Sequence, residues 1–524
     1  MRTRDGVRLY ADVYRPAGVG PWPVLLMRQP YGRKIASTVV YAHPTWYAAH
    51  GYMVVIQDVR GSGTSEGTFK LFEHERTDGA DALAWAASLE GSNGRIGMYG
   101  FSYQAVTQFL ALAGALDSGG PKPAALCPSM AGWDIFSDWA YEAGAFCLQG
   151  NVGWALQMGA ERARLAGDVT AYVAMLAAAR NPPLLEEHMA WPAVLQRYSH
   201  YTHYADWVGN PAPGGYWDRI SPRAALAGRT GDVPMLHIGG WYDPMLEGTL
   251  AGYAAMAASK APQRLIVGPW GHIPWGRRVG SVDFGPEASS PIDREQLRWF
   301  DRFLKDRHDP QPCVRLFDLG TKAWRDFAAF PEHSAQTWHL SSGGLATART
   351  EDGVLSREPP ASMHDTLVHD PWRPVPSLGG HDGQPPGPQD RSALDGRTDV
   401  ACYTSAPLAH PLTLTGRVSA EIAVKADAPS HDLLAVLSQV MPDGRALTLT
   451  QGYRRDSGHV PMRAICTTVP AGAALRLSLQ ASSFPAFAVN PGTGVAAAET
   501  RLFDCRIVTL TLKGGCLLLP VATP

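Results

Sequence analysis

An apolar run that ends in a glycine and a serine and passes at once into a helical pattern limits this chain more than any other stretch. It reads Arg95-Ile-Gly-Met-Tyr-Gly-Phe-Ser-Tyr-Gln-Ala105. Ile96 to Tyr99 predicts a buried strand, and Tyr103 to Leu116, with Val106, Phe109, Leu110 and Leu112, a helix. Upstream, Tyr52 to Ile56 is another apolar strand pattern, and Asp78 to Leu89 has helical spacing through Ala80, Leu83, Ala84 and Ala87. Downstream, Pro123 to Pro128 reads as the next strand. Such alternation predicts an α/β class with a mostly parallel sheet and helices on both faces. Ser102 then becomes a candidate nucleophile. A serine on a tight strand-to-helix turn projects its hydroxyl out of the sheet, beside the free N–H groups of the helix start. Gly100 lets the turn close, but the second glycine of the strict hydrolase pattern is replaced by Gln104. Alone, Ser102 reads equally well as a helix-capping serine, so its partners must decide.

Before the elbow, residues 5–14 open on Asp-Gly and alternate through Val7, Leu9, Ala11 and Val13, predicting an edge strand of an antiparallel meander. Val24 to Met27 is a buried strand leading into Arg28-Gln-Pro-Tyr-Gly32, a loop at the end of the sheet where function gathers. The glycine-rich loop Gln57 to Gly67 lacks the Gly-Lys-Ser/Thr ending of a phosphate loop and the spacing of a dinucleotide fingerprint. A structural loop is the better reading.

From Gly132 to about Ala224 the alternation gives way to a helical, aromatic-rich block that includes Trp133, Trp139, Trp154 and Trp207. An insertion between two sheet strands must sit over the sheet end, and it reads as a cap walling a pocket. Strands return at Val233 to Ile238, followed by Gly239-Gly-Trp-Tyr-Asp243, and at Gln263 to Val267, followed by Gly268-Pro-Trp-Gly-His272. Ser102, Asp243 and His272 thus stand on successive loops in the chain order of an α/β-hydrolase triad. Asp243 before Pro244 could be a turn former and His272 an ordinary surface histidine, but three coincidences outweigh these readings. An amphipathic helix is predicted at Arg294 to Lys305 and a strand at Val314 to Leu319. From Val400 on, short alternating strands separated by turns predict a β-sandwich or jelly roll, with Pro371 to Gly380 as an irregular loop inside it.

With 46 basic and 48 acidic residues the formal charge is -2, which gives no global field for nucleic acid or an anionic membrane surface. No stretch approaches the ~18 apolar residues of a membrane span. The seven cysteines are scattered and without zinc-site spacing, so they read as buried reduced thiols. The first residues carry no apolar leader core, and the expectation is a cytoplasmic protein unless a signal peptide has been removed.

The chain resembles the cocaine-esterase-like acyl hydrolases, the CocE/NonD family, which is related to Xaa-Pro dipeptidyl peptidases. The resemblance covers nearly the whole chain. It is carried by Arg4-Asp-Gly-Val7, Arg28 to Gly32, Gln57-Asp-Val-Arg-Gly61, Gly100-Phe-Ser-Tyr103, Gly240-Trp-Tyr-Asp243, Gly268-Pro-Trp-Gly-His272 and Pro374-Val-Pro-Ser-Leu-Gly-Gly380. It implies an α/β-hydrolase fold with an inserted helical cap and a C-terminal jelly roll, divided at 1–131, 132–224, 225–333 and 334–524. It also implies that Ser102 is the nucleophile, His272 the base and then acid, and Asp243 the group that orients the imidazole. The oxyanion hole would combine the hydroxyl of Tyr31, otherwise a turn residue, with the backbone N–H of Tyr103. Ala105 departs from the glycine usual three residues after the serine, and the first strand starts close to Met1, so edge residues could be lacking.

The expected activity is cleavage of a small-molecule acyl ester, with amides open, through an acyl-enzyme that water resolves without metal or organic cofactor. Trp133 and Trp154 of the cap, Met245 and Leu378 are the expected pocket walls. The alternatives are an α-amino acid ester or β-lactam acylase, an Xaa-Pro dipeptidyl peptidase, and a catalytically silent jelly-roll binding protein. A free α-ammonium would call for carboxylates, and Asp138, Glu142 and Glu247 are the candidates. Each reads more plainly as a helix-surface charge or structural pair, and their spacing forms no cluster, so an uncharged acyl group ranks first. Assembly into a homo-oligomer stays open.

Overall fold

A computed structural model describes residues 1–34, 38–359 and 363–522. Its first sheet has nine strands: β1 (Ala11–Tyr14), β2 (Trp22–Gln29), β3 (Met53–Asp58), β4 (Ser92–Phe101), β5 (Ala125–Ser129), β6 (Met235–Tyr242), β7 (Gln263–Gly271), β8 (Val314–Asp318) and β9 (Ala323–Phe327). They lie in the order β1-β3-β2-β4-β5-β6-β7-β8-β9, parallel from β3 to β8. Only the edge strands β1 and β9 run antiparallel to their neighbours. β1 is therefore an edge strand, but it pairs with β3 rather than with the next strand in the chain. It is also shorter than the alternation suggested, because residues 2–8 close a separate tight turn in which Gly6 N–H donates to Thr3 and Thr3 N–H to Val7.

The central strands carry apolar runs buried on both sides, and alternate residues feed opposite layers. Val24 and Leu26 join Met53, Val55 and Met98 in a core covered by helices α1 (Glu75–Ala87) and α2 (Tyr103–Ser118). Leu25 and Met27 join Val54, Ile56 and Tyr99 in a second core, covered by Trp299, Phe300 and Leu304. Those three residues belong to helix α6 (Ile292–Leu304), the amphipathic segment of the sequence. α1 and α2 approach closely because small residues meet at the crossing. A Cβ on Gly114 would run into the Arg76 carbonyl, and one on Gly79 would meet Ala111.

Between β5 and β6 the chain leaves the sheet to build a cap. Its main helices are α3 (Leu148–Leu165) and α4 (Val169–Arg180). They are preceded by a five-residue π-helix, Phe136–Ala140, and a small hairpin that pairs Tyr141–Glu142 with Ala145–Phe146. α5 (Leu246–Met256) follows β6. Among the described residues no helix is long and apolar enough to cross a membrane.

The C-terminal part is a β-sandwich built around the long strand Val508–Pro520, which pairs with Ala335–Ser341, Asp365–His369 and Ser419–Ala426. It docks on β8. Asp318 accepts the N–H of Thr468 at 2.9 Å and its hydroxyl at 2.7 Å, and Leu319 N–H donates to Cys466. One hydrophobic cluster runs through the joint, from Trp241, Leu265 and Phe317 to Leu414, Ile465 and Leu517. Cys127, Cys402, Cys466 and Cys505 are buried, as expected, but Cys313 is exposed in the loop before β8.

Candidate active site

Ser102 sits on the one-residue turn between β4 and α2 with φ 61° and ψ -125°, a region that side-chain-bearing residues rarely occupy. Several contacts hold it there. Its own N–H donates to Ser129 at 3.0 Å, and its carbonyl accepts the N–H groups of Ala105 and Val106. Gly100 has φ 140°, and a Cβ there would collide with Gln104. The side chain of Gln104, which breaks the strict motif, closes the turn instead. Its Oε1 accepts the N–H of Phe101 at 3.2 Å, and its Nε2 donates to Gln29 at 3.2 Å. Ala105 is fully buried against the sheet. The N–H of Tyr103 belongs to the first turn of α2, where no intrahelical acceptor exists.

A buried polar network lies under this turn. Glu75 of α1 pairs with Arg28 at 2.5 Å, with both side chains almost wholly excluded from solvent. The second Glu75 oxygen accepts the Tyr103 hydroxyl at 2.9 Å, and Arg28 Nε donates to Gln57 at 2.8 Å. Burial pushes the Glu75 carboxyl up, against the opposing charge of Arg28. Arg28 lies near the end of β2, just before the loop that carries Tyr31. The far end of that loop is clamped where Arg33 donates to Asp58 from its backbone at 2.6 Å and from Nη1 at 2.5 Å. The glycine-rich loop wraps the same carboxylate: Thr64 N–H donates to Asp58, and a Cβ on Gly63 would strike it.

Asp243 and His272 follow the parallel strands β6 and β7. His272 Nδ1 lies 2.7 Å from Asp243 Oδ1, with Asp243 wholly buried and His272 about a quarter exposed. The His272 ring rests on Phe101, next to the elbow, and its carbonyl accepts the indole N–H of Trp275 at 3.0 Å. Ser102, Tyr31 and His272 all open on one cavity of about 710 Å³. Desolvation raises the Tyr31 phenol to about 12, an effect that the neighbouring Trp154 and Ser102 and the charge of Arg162 reduce.

Trp154 and Met245 line this cavity, but Trp133 and Leu378 do not. The carboxylate of Asp138 accepts the backbone N–H groups of Trp133 and Asp134, which fixes the turn there, and the Trp133 indole packs inward on Phe109. The half-buried Leu378 packs against Val375, Leu394, Val400 and Cys402 of the sandwich. The second cap tryptophan at the cavity is Trp139, whose ring lies 4.7 Å from that of Trp154. It carried the same aromatic signal as Trp133, and only the turn geometry separates the two. Tyr172 and Leu176 of α4 also line the wall, as do His381, Asp382, Arg463 and Phe487 of the sandwich. No local pattern marks the sandwich residues, because they reach the site only through docking of the domains.

The carboxylates read as helix-surface charges or structural pairs are all structurally engaged. Asp138 and Glu142 both line the cavity. Asp138, pushed up to about 6 by burial, is engaged by two backbone N–H groups and the Ser137 hydroxyl. Glu142 pairs with Arg463 at 2.6 Å and faces His381 at 2.9 Å. Glu247 is held by Arg417 and by the N–H of Ala464 and does not line the cavity.

A family model described as X-Pro dipeptidyl-peptidase (S15 family) matches residues 5–274, and one described as the X-Pro dipeptidyl-peptidase C-terminal non-catalytic domain matches residues 307–511. The cocaine esterase of Rhodococcus sp. (strain MB1 Bresler) is 33% identical over 561 residues, covering 98% of this chain and 95% of that protein. Among solved structures, an alpha-amino acid ester hydrolase superposes with a TM-score of 0.79 at 22% identity, covering 99% of this chain and 95% of the other. An aminopeptidase from the marine sediment archaeon Thaumarchaeota archaeon superposes with a TM-score of 0.80 at 22% identity, covering 100% and 95%. The last two likenesses bear on the fold alone.

Removing one partner of a buried ion pair strands the other, at a cost of about 3–5 kcal/mol. Glu75→Ala should lower unfolding free energy by that amount in urea titrations. An unchanged midpoint would show that Arg28 finds other company.

Proposed function

The chain belongs to the X-Pro dipeptidyl-peptidase S15 family of hydrolases, and within that family we propose that it cleaves carboxylic esters through a covalent acyl-enzyme on Ser102. The observation that carries this reading is the His272–Asp243 pair at 2.7 Å, buried on its carboxylate side and sharing a cavity with the strained Ser102 turn. Asp243 holds the imidazole by Nδ1–H, so that Nε2 is the nitrogen left to take the Ser102 proton. The same nitrogen then returns a proton to the leaving alcohol, and a water attacks the acyl-enzyme by the reverse route. The Tyr31 hydroxyl and the Tyr103 N–H are the proposed donors to the oxyanion. A phenol kept neutral by burial is suited to donate rather than ionise.

An uncharged acyl group remains the preferred substrate. Asp138 and Glu142 line the cavity, but hydrogen bonds and an ion pair already engage their oxygens, so neither is free to balance an ammonium. The cavity also holds Glu161 and Asp382, and this acidic lining is the observation that favours a second reading, an α-amino acid ester.

Turnover of a short p-nitrophenyl ester is the first test of an esterase against a silent binding protein. Ser102→Ala should retain the fold by circular dichroism and lower kcat by about 10⁴-fold or more. A variant that keeps its rate means that another group is the nucleophile.

Tyr31→Phe should lower kcat with little change in KM, because its hydroxyl bonds the oxyanion more strongly than the ground-state carbonyl. Loss of one such donor costs about 2.7–4 kcal/mol of barrier. Steady-state kinetics with kcat unaltered would remove Tyr31 from the hole.

Neutral aryl or alkyl esters should show higher kcat/KM than phenylglycine methyl ester and than an Ala-Pro anilide. If the phenylglycine ester wins and Asp138→Asn or Glu142→Gln abolishes its lead, the amino acid ester reading takes over.

A further inference from the structure

One wall of the cavity carries polar groups that the proposed chemistry does not use. Arg463 lies between the sandwich strands His459–Pro461 and Ile465–Val469, is 8% exposed and borders the cavity. Its backbone is fixed on both sides. The N–H donates to Gln451 at 3.0 Å, the carbonyl accepts the Thr450 hydroxyl at 2.8 Å, and the next N–H, of Ala464, donates to Glu247 at 3.2 Å. Nη2 donates to Glu142 Oε2 at 2.6 Å. Nη1 is buried and has no partner among the described residues.

A guanidinium presents donors in a rigid planar fork, so one nitrogen tied to Glu142 fixes the direction of the other. We propose that Arg463 Nη1 binds substrate, donating a hydrogen bond to a neutral acceptor oxygen (a ketone, ether or hydroxyl) that the ester carries away from its scissile bond. The inference rests on the ester-hydrolase reading above.

Charge decides why the acceptor is neutral. Glu142 already balances Arg463, and Asp138, Glu161 and Asp382 border the same cavity against one further cation, Arg162 beside Tyr31, so the lining keeps an acidic excess that disfavours a substrate carboxylate. A purely alkyl group fits the cavity but leaves a buried donor without an acceptor. Sites built around a hydrogen bond discriminate strongly against analogues that lack it.

The test uses two sets of esters on the full-length protein. In one, p-nitrophenyl esters carry acyl chains of equal length that are plain alkyl, contain an internal ketone, or end in a carboxylate. In the other, phenyl acetates bear the same three groups on the alcohol side. In at least one set the wild type should prefer the ketone to the alkyl ester by about tenfold or more in kcat/KM and should cleave the carboxylate ester worst. Arg463→Met should bring the ketone ester down to the alkyl ester. Arg463→Lys keeps a cation against Glu142 but loses the second nitrogen, and it should erase the same preference if the methionine variant fails to fold. Glu142→Gln should raise the carboxylate ester relative to the other two. Equal cleavage of ketone and alkyl esters in both sets, or a preference that survives both Arg463 variants, overturns the inference alone. Wild-type protein that cleaves none of the six removes the ester reading and this inference with it.

Discussion

Glu75 and Arg28 face each other at 2.5 Å beneath the Ser102 turn, with both side chains buried. Taking two charges out of water is expensive, and their mutual attraction offsets that cost only where further hydrogen bonds complete the geometry. Here they do. Glu75 also takes the Tyr103 hydroxyl, and Arg28 also takes Gln57. Tyr103 follows Ser102 directly, and Arg28 stands three residues before Tyr31. The pair therefore ties together the two chain segments that carry the proposed oxyanion donors. Those segments come from different strands, β4 and β2, and a preorganised donor pair requires that their separation not drift.

The cavity over this platform is made by three blocks at once. The cap supplies Trp139 and Trp154, the sheet loops supply Tyr31, Ser102 and His272, and the sandwich supplies His381, Asp382 and Arg463. The Glu142–Arg463 ion pair spans cap and sandwich, while Asp318 and Thr468 join sandwich and sheet. A shared hydrophobic cluster continues through the second joint. The sandwich is thus part of the cavity wall, so residues far along the chain from Ser102 face the proposed substrate site.

Much of this organisation was legible in the sequence because it is local. The run into Ser102, the apolar strands before Asp243 and His272, and the amphipathic α6 each carry their signal within one window, and the α/β-hydrolase core with its cap and sandwich follows from their order. What escaped reading depends on long-range packing. Trp133 and Trp139 look alike in the sequence, and only the Asp138-capped turn sends one into the core and the other to the cavity. Glu142 read as a helix-surface charge or a structural pair; it is a pair, but its partners, His381 and Arg463, lie in another block and no local pattern names them. Gln104 broke the motif in the text yet closes the elbow in space. Leu378 carried the resemblance to the family but packs against a small sandwich cluster instead of lining the cavity.

In the proposed function a single serine is made nucleophilic by the geometry of the elbow and the His272–Asp243 pair. The most direct measurement is intact-mass and peptide-mapping mass spectrometry after exposure to an organophosphonate ester. One adduct per chain is expected, on the peptide containing Ser102, and none in Ser102→Ala. Labelling at a different serine, or equal labelling of the variant, would contradict it.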